Sequence, residues 1–407
     1  MQVKHQFVSG IPDDPNAAAA GEVLPSHWNA DHQVTLTGAD ISGALGYTPY
    51  DAANPTGYVT EAGARAALSA VSPVTYNPAT GQIGFVETAN AFSLNRLENG
   101  DFQVFQRNGG APVTGFTGSA VHLDRWNDVS TNAVLSISRD SEALPNTWRH
   151  YRRQITTPYD PATNTINQCY VQQGIETQTL SDSGWGTAGA QQITISFEVR
   201  SSVTGNHAIA LRNNTPGGPK VYVTTYSVPV ANVFTPVSVT IPGDQAAAIG
   251  GTQNFLGLSL TFCHGAGSVY TTPTTDTWLA GEFMYTPGAV AVCNVLNATW
   301  DIRKVKIELG SSTTAFEIKN VSESVAICRR MYEQGTVISR WGNGANIPVA
   351  VTINYKTIKR ASPTLQITMT SGTLGTVTSL NTDSASITGT SNGSGQFDFS
   401  WAALTEI

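Results

Sequence analysis

A period-two alternation of apolar and polar residues constrains this chain more than any other feature. Residues 192–200 read Gln-Ile-Thr-Ile-Ser-Phe-Glu-Val-Arg, so Ile193, Ile195, Phe197 and Val199 fall on one face and Thr194, Ser196, Glu198 and Arg200 on the other. A strand apolar on one side only belongs in an antiparallel sheet with one face on a core. The spacing returns at Val237, Val239 and Ile241, and at Leu256, Leu258, Leu260 and Phe262, with turn clusters at Pro216-Gly217-Gly218-Pro219 and Pro242-Gly243. About eight to ten such strands over residues 97–321 predict an all-β, jelly-roll β-sandwich. In the last of them Trp300 and Ile302 share one parity and Val305, Ile307 and Leu309 the other, which predicts a β-bulge near Arg303-Lys304.

Composition agrees. Only 13% of the 407 residues are charged, and Thr, Ser, Asn and Gly supply most other polar positions, which suits short strands and tight turns. A formal net charge of -7 argues against nucleic-acid or anionic-membrane partners, which demand basic patches. The densest basic cluster, Arg149-His150-Tyr151-Arg152-Arg153, reads as a polar strand face. Cys169, Cys263, Cys293 and Cys328 lack the paired spacing of a zinc site or disulfide framework and are expected to stay reduced. The start of the chain lacks a signal-peptide core and no stretch is long enough to span a bilayer, so cytoplasmic synthesis without membrane insertion is expected.

The organisation reads in five parts: an extended segment over residues 1–60, a short helix and linker over 61–96, the sandwich over 97–321, a connector helix over 322–335 and a small β domain over 336–407. The first ninety residues are broken every few positions by Gly, Pro or Asn, so other chains must supply their burial partners. Thr60 is read as the cap of a helix from Glu61 to about Ala70, with Ala64, Leu68 and Val71 on the face that identical copies would cover in a small bundle. Ser322 is read as the cap of the connector helix, with Val321 stapled onto Ala326 and Gly335 as the stop. The last segment alternates at Val349, Val351, Ile353 and Tyr355, at Leu365, Ile367 and Met369, and at Phe397, Phe399 and Trp401.

Three stretches carry a resemblance. Asn99-Gly100-Asp101-Phe102-Gln103-Val104-Phe105-Gln106-Arg107 with Asp124-Arg125-Trp126, then Val305-Lys306-Ile307-Glu308-Leu309-Gly310 with Ala315-Phe316-Glu317, and finally Glu323 with Cys328-Arg329-Arg330-Met331-Tyr332 resemble the carbohydrate-binding-module-like jelly rolls of bacteriophage tail fibres. Residues 24–32, 44–51 and 54–59 resemble the attachment and shaft regions of such fibres. The resemblance implies a homotrimeric receptor-binding protein of the virion that joins the tail or baseplate through its N-terminus. It further implies recognition of host surface polysaccharide or lipopolysaccharide without turnover. A tail-spike depolymerase and a purely structural tail component are the alternatives.

Glycan recognition calls for aromatic faces and short polar groups. Trp126, Trp278, Trp300 and Trp401 fall in strand patterns and read as core. Loop aromatics are the better candidates: Trp341 with Arg340 and Asn343, Trp185 in Asp182-Ser183-Gly184-Trp185-Gly186, and Tyr270. The related modules imply a structural calcium, for which Glu98 and Asp101 stand at one end; at the closing positions, however, Arg303 and Lys304 replace oxygen ligands, so neither metal nor cofactor is expected, and a salt bridge to Asp101 would take its place. His27, Asp31 and His32 match no zinc spacing and read as baseplate-contact packing. Cys263 and His264 point to opposite faces of a strand and cannot form a dyad, and no acid pair suited to glycoside cleavage stands out.

Overall fold

The structure, a computed structural model, describes residues 2–3, 10–14, 24–26, 32–33, 35–46, 61–69, 74–85, 95–141, 148–215, 217–251, 254–340, 342 and 344–406. The chain forms two compact units, Met1–Thr88 and Ala89–Ile407. Among the described residues no helix is long and apolar enough to cross a membrane.

The first unit holds short antiparallel pairs, β1 (Gln2–Val3) with β2 (His32–Gln33) and β3 (Val74–Asn77) with β4 (Gln82–Phe85), and the helices α1 (Gly38–Leu45) and α2 (Glu61–Ala67). Helix α1 had no counterpart in the sequence reading. Its signal is local: Thr37 and Asp40 cap each other reciprocally, and Gly46 closes the far end at φ 73°. Neither helix buries a residue, in keeping with a segment that has little core of its own. Helix α2 ends at Ala67 rather than near Ala70, leaving Leu68 exposed, while Thr60 and Val71 lie outside the described residues.

The second unit opens with the sandwich: β5 (Val113–Leu123), β6 (Trp126–Ser141), β7 (Arg149–Thr157), β8 (Gln168–Glu176), β9 (Ile193–Ser201), β10 (Gly205–Asn213), β11 (Lys220–Val228), β12 (Thr235–Ile241), β13 (Leu256–Ala266), β14 (Trp278–Ala280) and β15 (Thr299–Leu309). The hydrogen-bonded order is β12-β9-β15-β7-β6-β8-β13-β10-β11-β14, antiparallel throughout, with β5 beside β6. Strand β6 joins the two layers. Its residues 127–130 pair with β8, whereas residues 134–141 pair with β7. Between these stretches the inward parity moves from Trp126, Asp128 and Ser130 to Ala133, Leu135 and Ile137, and the Ser130 hydroxyl closes the bend by donating to Ala133 O at 2.6 Å. The layers then face each other through aromatic rings: Phe197 of β9 meets Tyr226 of β11 and Phe262 of β13 at 5.0 and 5.1 Å, and Trp300 of β15 donates to the Tyr226 hydroxyl at 2.9 Å. The jelly-roll sandwich read from the alternation is the fold observed.

Strand β7 departs from the expected polar face. Tyr151 and Arg153 point into the core, and Arg153 Nε lies 3.1 Å from Asp128 Oδ1, with only 2% and 0% of the two side chains exposed. Tyr151 donates to the same carboxylate, and His122 Nδ1 stands 3.3 Å from its other oxygen. A solvated cluster was expected because the sequence gives no hint that Asp128, 25 residues upstream, waits for Arg153. Arg152 does face outward, onto Asp301 at 2.7 Å.

The predicted bulge is present in β15. Its pairing with β9 skips between Arg303 and Lys306, Lys304 takes a left-handed φ of 53°, and Val305 and Ile307 regain the core. Both cations reach Glu198, at 2.6 and 2.7 Å, rather than Asp101. The proposed exchange partner was wrong because Glu198 lies directly opposite Arg303 in the register. The connector helix α3 (Val321–Arg329) starts one residue earlier than read and ends sooner. Asn320 caps it by accepting from Ser322 N at 2.8 Å, Val321 is exposed instead of stapled, and Gly335 lies in a strand. The reason is tertiary: the indole of Trp401 packs over Gly335, where a Cβ would come within 2.8 Å of it.

The remaining strands are β16 (Tyr332–Val337), β17 (Pro348–Asn354), β18 (Thr364–Ser371), β19 (Thr373–Leu380), β20 (Ser384–Thr390) and β21 (Asp398–Leu404), in two three-stranded sheets ordered β16-β21-β18 and β17-β20-β19. Between them lie Val349, Ile353, Ile387, Phe397, Phe399 and Trp401. This module shares its compact unit with the sandwich. Glu406 receives Arg107 at 2.6 Å and Arg125 at 3.1 Å, and Arg107 stacks on Tyr332 at 3.8 Å.

The Asp128–Arg153 pair generates a prediction. Removing one partner leaves an uncompensated buried charge or its unpaired hydrogen-bonding groups, so Asp128→Asn and Arg153→Met are each expected to cost about 3 to 5 kcal/mol in urea unfolding, and the double variant clearly less than the sum. Additive losses would show that the two residues act independently.

Candidate functional site

In the C-terminal module, alternation sorts side chains by face. On β21, Phe399, Trp401 and Ala403 turn inward and Asp398, Ser400 and Ala402 outward; the register sets Gln334 and Thr336 of β16, and Gln366 and Thr368 of β18, beside Ala402 and Ser400. The result is an open groove of about 480 Å³ with Ala402 in its floor and amides and hydroxyls on both sides. Its lining side chains carry no carboxylate. Such groups both donate and accept hydrogen bonds, which matches a polyhydroxylated ligand.

At the end of this face stands Arg340. Its Nη1 lies 3.2 Å from Asp398 Oδ2, and Gln396 also accepts from the guanidinium when its amide is turned oxygen-first, at 2.9 and 3.0 Å. Ser339 is held by donating its N–H to Asp398 Oδ1 at 2.9 Å and its hydroxyl to Phe397 O at 2.6 Å. Gly395, at φ 69°, lets the connection between β16 and β17 approach so closely that a Cβ would lie 1.5 Å from Gly342 O. Arg340 is therefore an exposed cation on an anchored base. Trp341 and Asn343 lie outside the described residues.

The other two aromatic candidates sit elsewhere. Gly184 and Gly186, at φ 67° and 82°, curl the loop before β9 so that Trp185 turns inward; the residue is 5% exposed, and its ring donates to Gln191 O at 2.8 Å and packs edge-on against Trp278 at 5.2 Å. It offers no open platform in this conformation. Tyr270 is half-buried beside Ala208, Cys263 and Tyr285 on the far layer of the sandwich. Arg340, Trp185 and Tyr270 thus do not converge. The groove itself was missed because Gln334 was assigned to a helix, although the outward parity of Gln366, Thr368 and Ser400 is readable from the sequence.

Comparison with known proteins brings no family assignment: no family model matches the chain, and no curated protein matches it. Solved structures similar to part of it include the enzymatically active domain of tailspike protein 4 of bacteriophage CBA120, at 10% identity over 53% of this chain and 21% of that one, with a TM-score of 0.29. The family 11 carbohydrate-binding module from Clostridium thermocellum, in complex with a β-1,3-1,4-mixed-linked tetrasaccharide, matches at 13% identity over 50% and 96%, with a TM-score of 0.25. A family 30 carbohydrate-binding module of a cellulosomal cellulase of the same organism matches at 12% over 50% and 99%, also with a TM-score of 0.25. The chain spans about a fifth of the tailspike chain. At these scores the overlap is partial, and function has to be argued from this chain's own side chains.

The reactive residues of the sandwich are enclosed. Cys263 is 1% exposed and burial pushes its thiol up to about 12, while His264 turns to the other face against Trp300 at 4.6 Å. Glu98 reaches Lys319 at 3.3 Å, and burial raises the Asp101 carboxyl. Of the histidine set near the N-terminus, His27 and Asp31 lie outside the described residues.

His264 generates a prediction about pH. Burial, then the nearby charges of Arg153 and His207, hold its imidazole well below the ordinary range, and neither ring nitrogen has a partner. Above the unfolded value of about 6.5 both states are neutral and stability is full; below it the unfolded chain takes up a proton that the folded chain refuses, so stability falls. Melting temperature is expected to drop between pH 7.5 and 5.5, and to drop less in His264→Phe; equal drops would remove this residue from the acid response.

Proposed function

We propose that this chain is a tail-fibre-type receptor-binding protein that recognises a host surface glycan without cleaving it, assembles as a homotrimer and joins the phage tail or baseplate through its N-terminal segment. The open polar groove of β16, β21 and β18 carries the reading. A flat array of amides and hydroxyls gives weak single-site contacts, and three copies per fibre raise them to useful avidity through effective concentration. The exposed N-terminal helices, with no buried residue between them, support assembly with other chains. The sequence resemblance to tail fibres supplies the biological setting.

Filling the groove tests the site. Ser400→Lys places a long cation among Thr336, Thr368 and Ala402 on a solvent-facing position, so adsorption of purified protein to host cells is expected to fall by about tenfold or more while the melting temperature stays put. Undiminished adsorption would move the receptor site elsewhere. Light scattering is expected to give three times 43.1 kDa, and a monomer mass would overturn the assembly.

A further inference from the structure

The C-terminal module is open along one side. Strand β18 ends the sheet β16-β21-β18 and β19 ends the sheet β17-β20-β19, and the single residue between them, Gly372 at φ 83°, sets both free edges on that side. The pairing of β19 with β20 slips twice, between Leu374 and Val377 and between Val377 and Ser379. Each slip places one extra residue in β19. Leu374, Val377 and Leu380, three apart in sequence, therefore all stand opposite inward positions of β20: Gly389 beneath the Phe397 ring, buried Ile387 and buried Ala385. They lie on the core side of the sheet, yet are 38%, 42% and 37% exposed, because the facing sheet stops at β18. There Leu365, Ile367 and Met369, opposite Ala403, Trp401 and Phe399, are only half-buried.

Single exposed aliphatic residues are ordinary, but three aligned by two bulges on the core side of a sheet are core positions without a cover. The edges beside them are undefended as well. At other free edges β12 contains Pro236, β17 opens on Pro348, β16 carries Glu333 and β14 is three residues long, whereas β18 and β19 have neither charge nor proline. From Ala361 to Thr382 the chain is uncharged, so a partner selected by charge finds nothing to read, while copies of a chain with net charge -7 meet here without like-charge repulsion. Area favours copies too. A foreign protein needs about 800 Å² on this chain for a stable complex, more than a strip of three aliphatic side chains offers; copies that also meet through other segments need only complete the core.

We infer that the side of the module formed by β18 and β19 is covered by the same side of other copies of this chain, with Leu374, Val377 and Leu380 meeting in a shared apolar core. The number of copies rests on the proposed homotrimer; the surface does not. Thiol cross-linking of the full chain is the test, since Cys169, Cys263, Cys293 and Cys328 are all buried. In Val377→Cys a short bismaleimide is expected to give covalent dimers at low protein concentration. Their yield should exceed by about tenfold or more that of Val230→Cys, at an exposed residue in the connection between β11 and β12. Adding Leu374→Lys to Val377→Cys should cut the yield by about threefold or more, because it brings like charges together at the contact. Light scattering on the unsubstituted chain separates the surface from the copy number. Trimer mass without preferential cross-linking at position 377 would overturn this surface and leave the trimer standing; dimer mass with it would keep the surface and overturn the trimer; monomer mass would overturn both. Equal yields from the two cysteine variants, or a yield indifferent to Leu374→Lys, would also overturn the shared core.

Discussion

The fold depends on one buried carboxylate. Asp128 sits where β6 leaves one layer of the sandwich for the other, and Arg153 and Tyr151 from the neighbouring strand converge on it in a region with essentially no solvent. A lone carboxylate there would be costly to bury; with a guanidinium and a phenol fixed upon it, the bend has a single favourable arrangement. The opposing layers can then interlock through Phe197, Tyr226, Phe262 and Trp300. Hydrophobic burial supplies most of the stability, and the ion pair ties β6 to β7 inside it.

From this platform the structure extends outward. The segment before β5 is laid along β15, where Val305 N donates to Gly100 O at 2.9 Å and Asn95 brackets Val305 and Ile307. Arg107 and Arg125, held by that arrangement, grip Glu406 at the end of the C-terminal module, so the polar groove stands on a fixed base. Those charges join the sandwich to the C-terminal module.

Much of the fold was legible in the sequence because a strand half-buried in a sheet leaves a period-two record. Ile193 to Val199 and Leu258 to Phe262 turn inward as read, and even the bulge at Arg303 and Lys304 follows from a parity change. What the sequence hid depends on contacts between distant residues. Arg153 looked like one of several surface cations until Asp128 came beside it, and Gly335 looked like a helix stop until Trp401 was laid over it. The candidate site was less legible still. Trp185 was selected for standing between glycines in a loop, yet those glycines are what turn its ring inward, and the groove was built from Thr, Gln and Ser residues that look unremarkable one strand at a time.

Recognition without cleavage is the central functional claim, and it rests on a groove whose lining supplies hydrogen-bonding groups and no carboxylate. The most direct measurement is the size distribution of host surface polysaccharide, by size-exclusion chromatography, before and after prolonged incubation with the full chain, alongside retention of the same polysaccharide on the immobilised protein. The account predicts retention with an unchanged elution profile. Progressive shortening of the polysaccharide would contradict it.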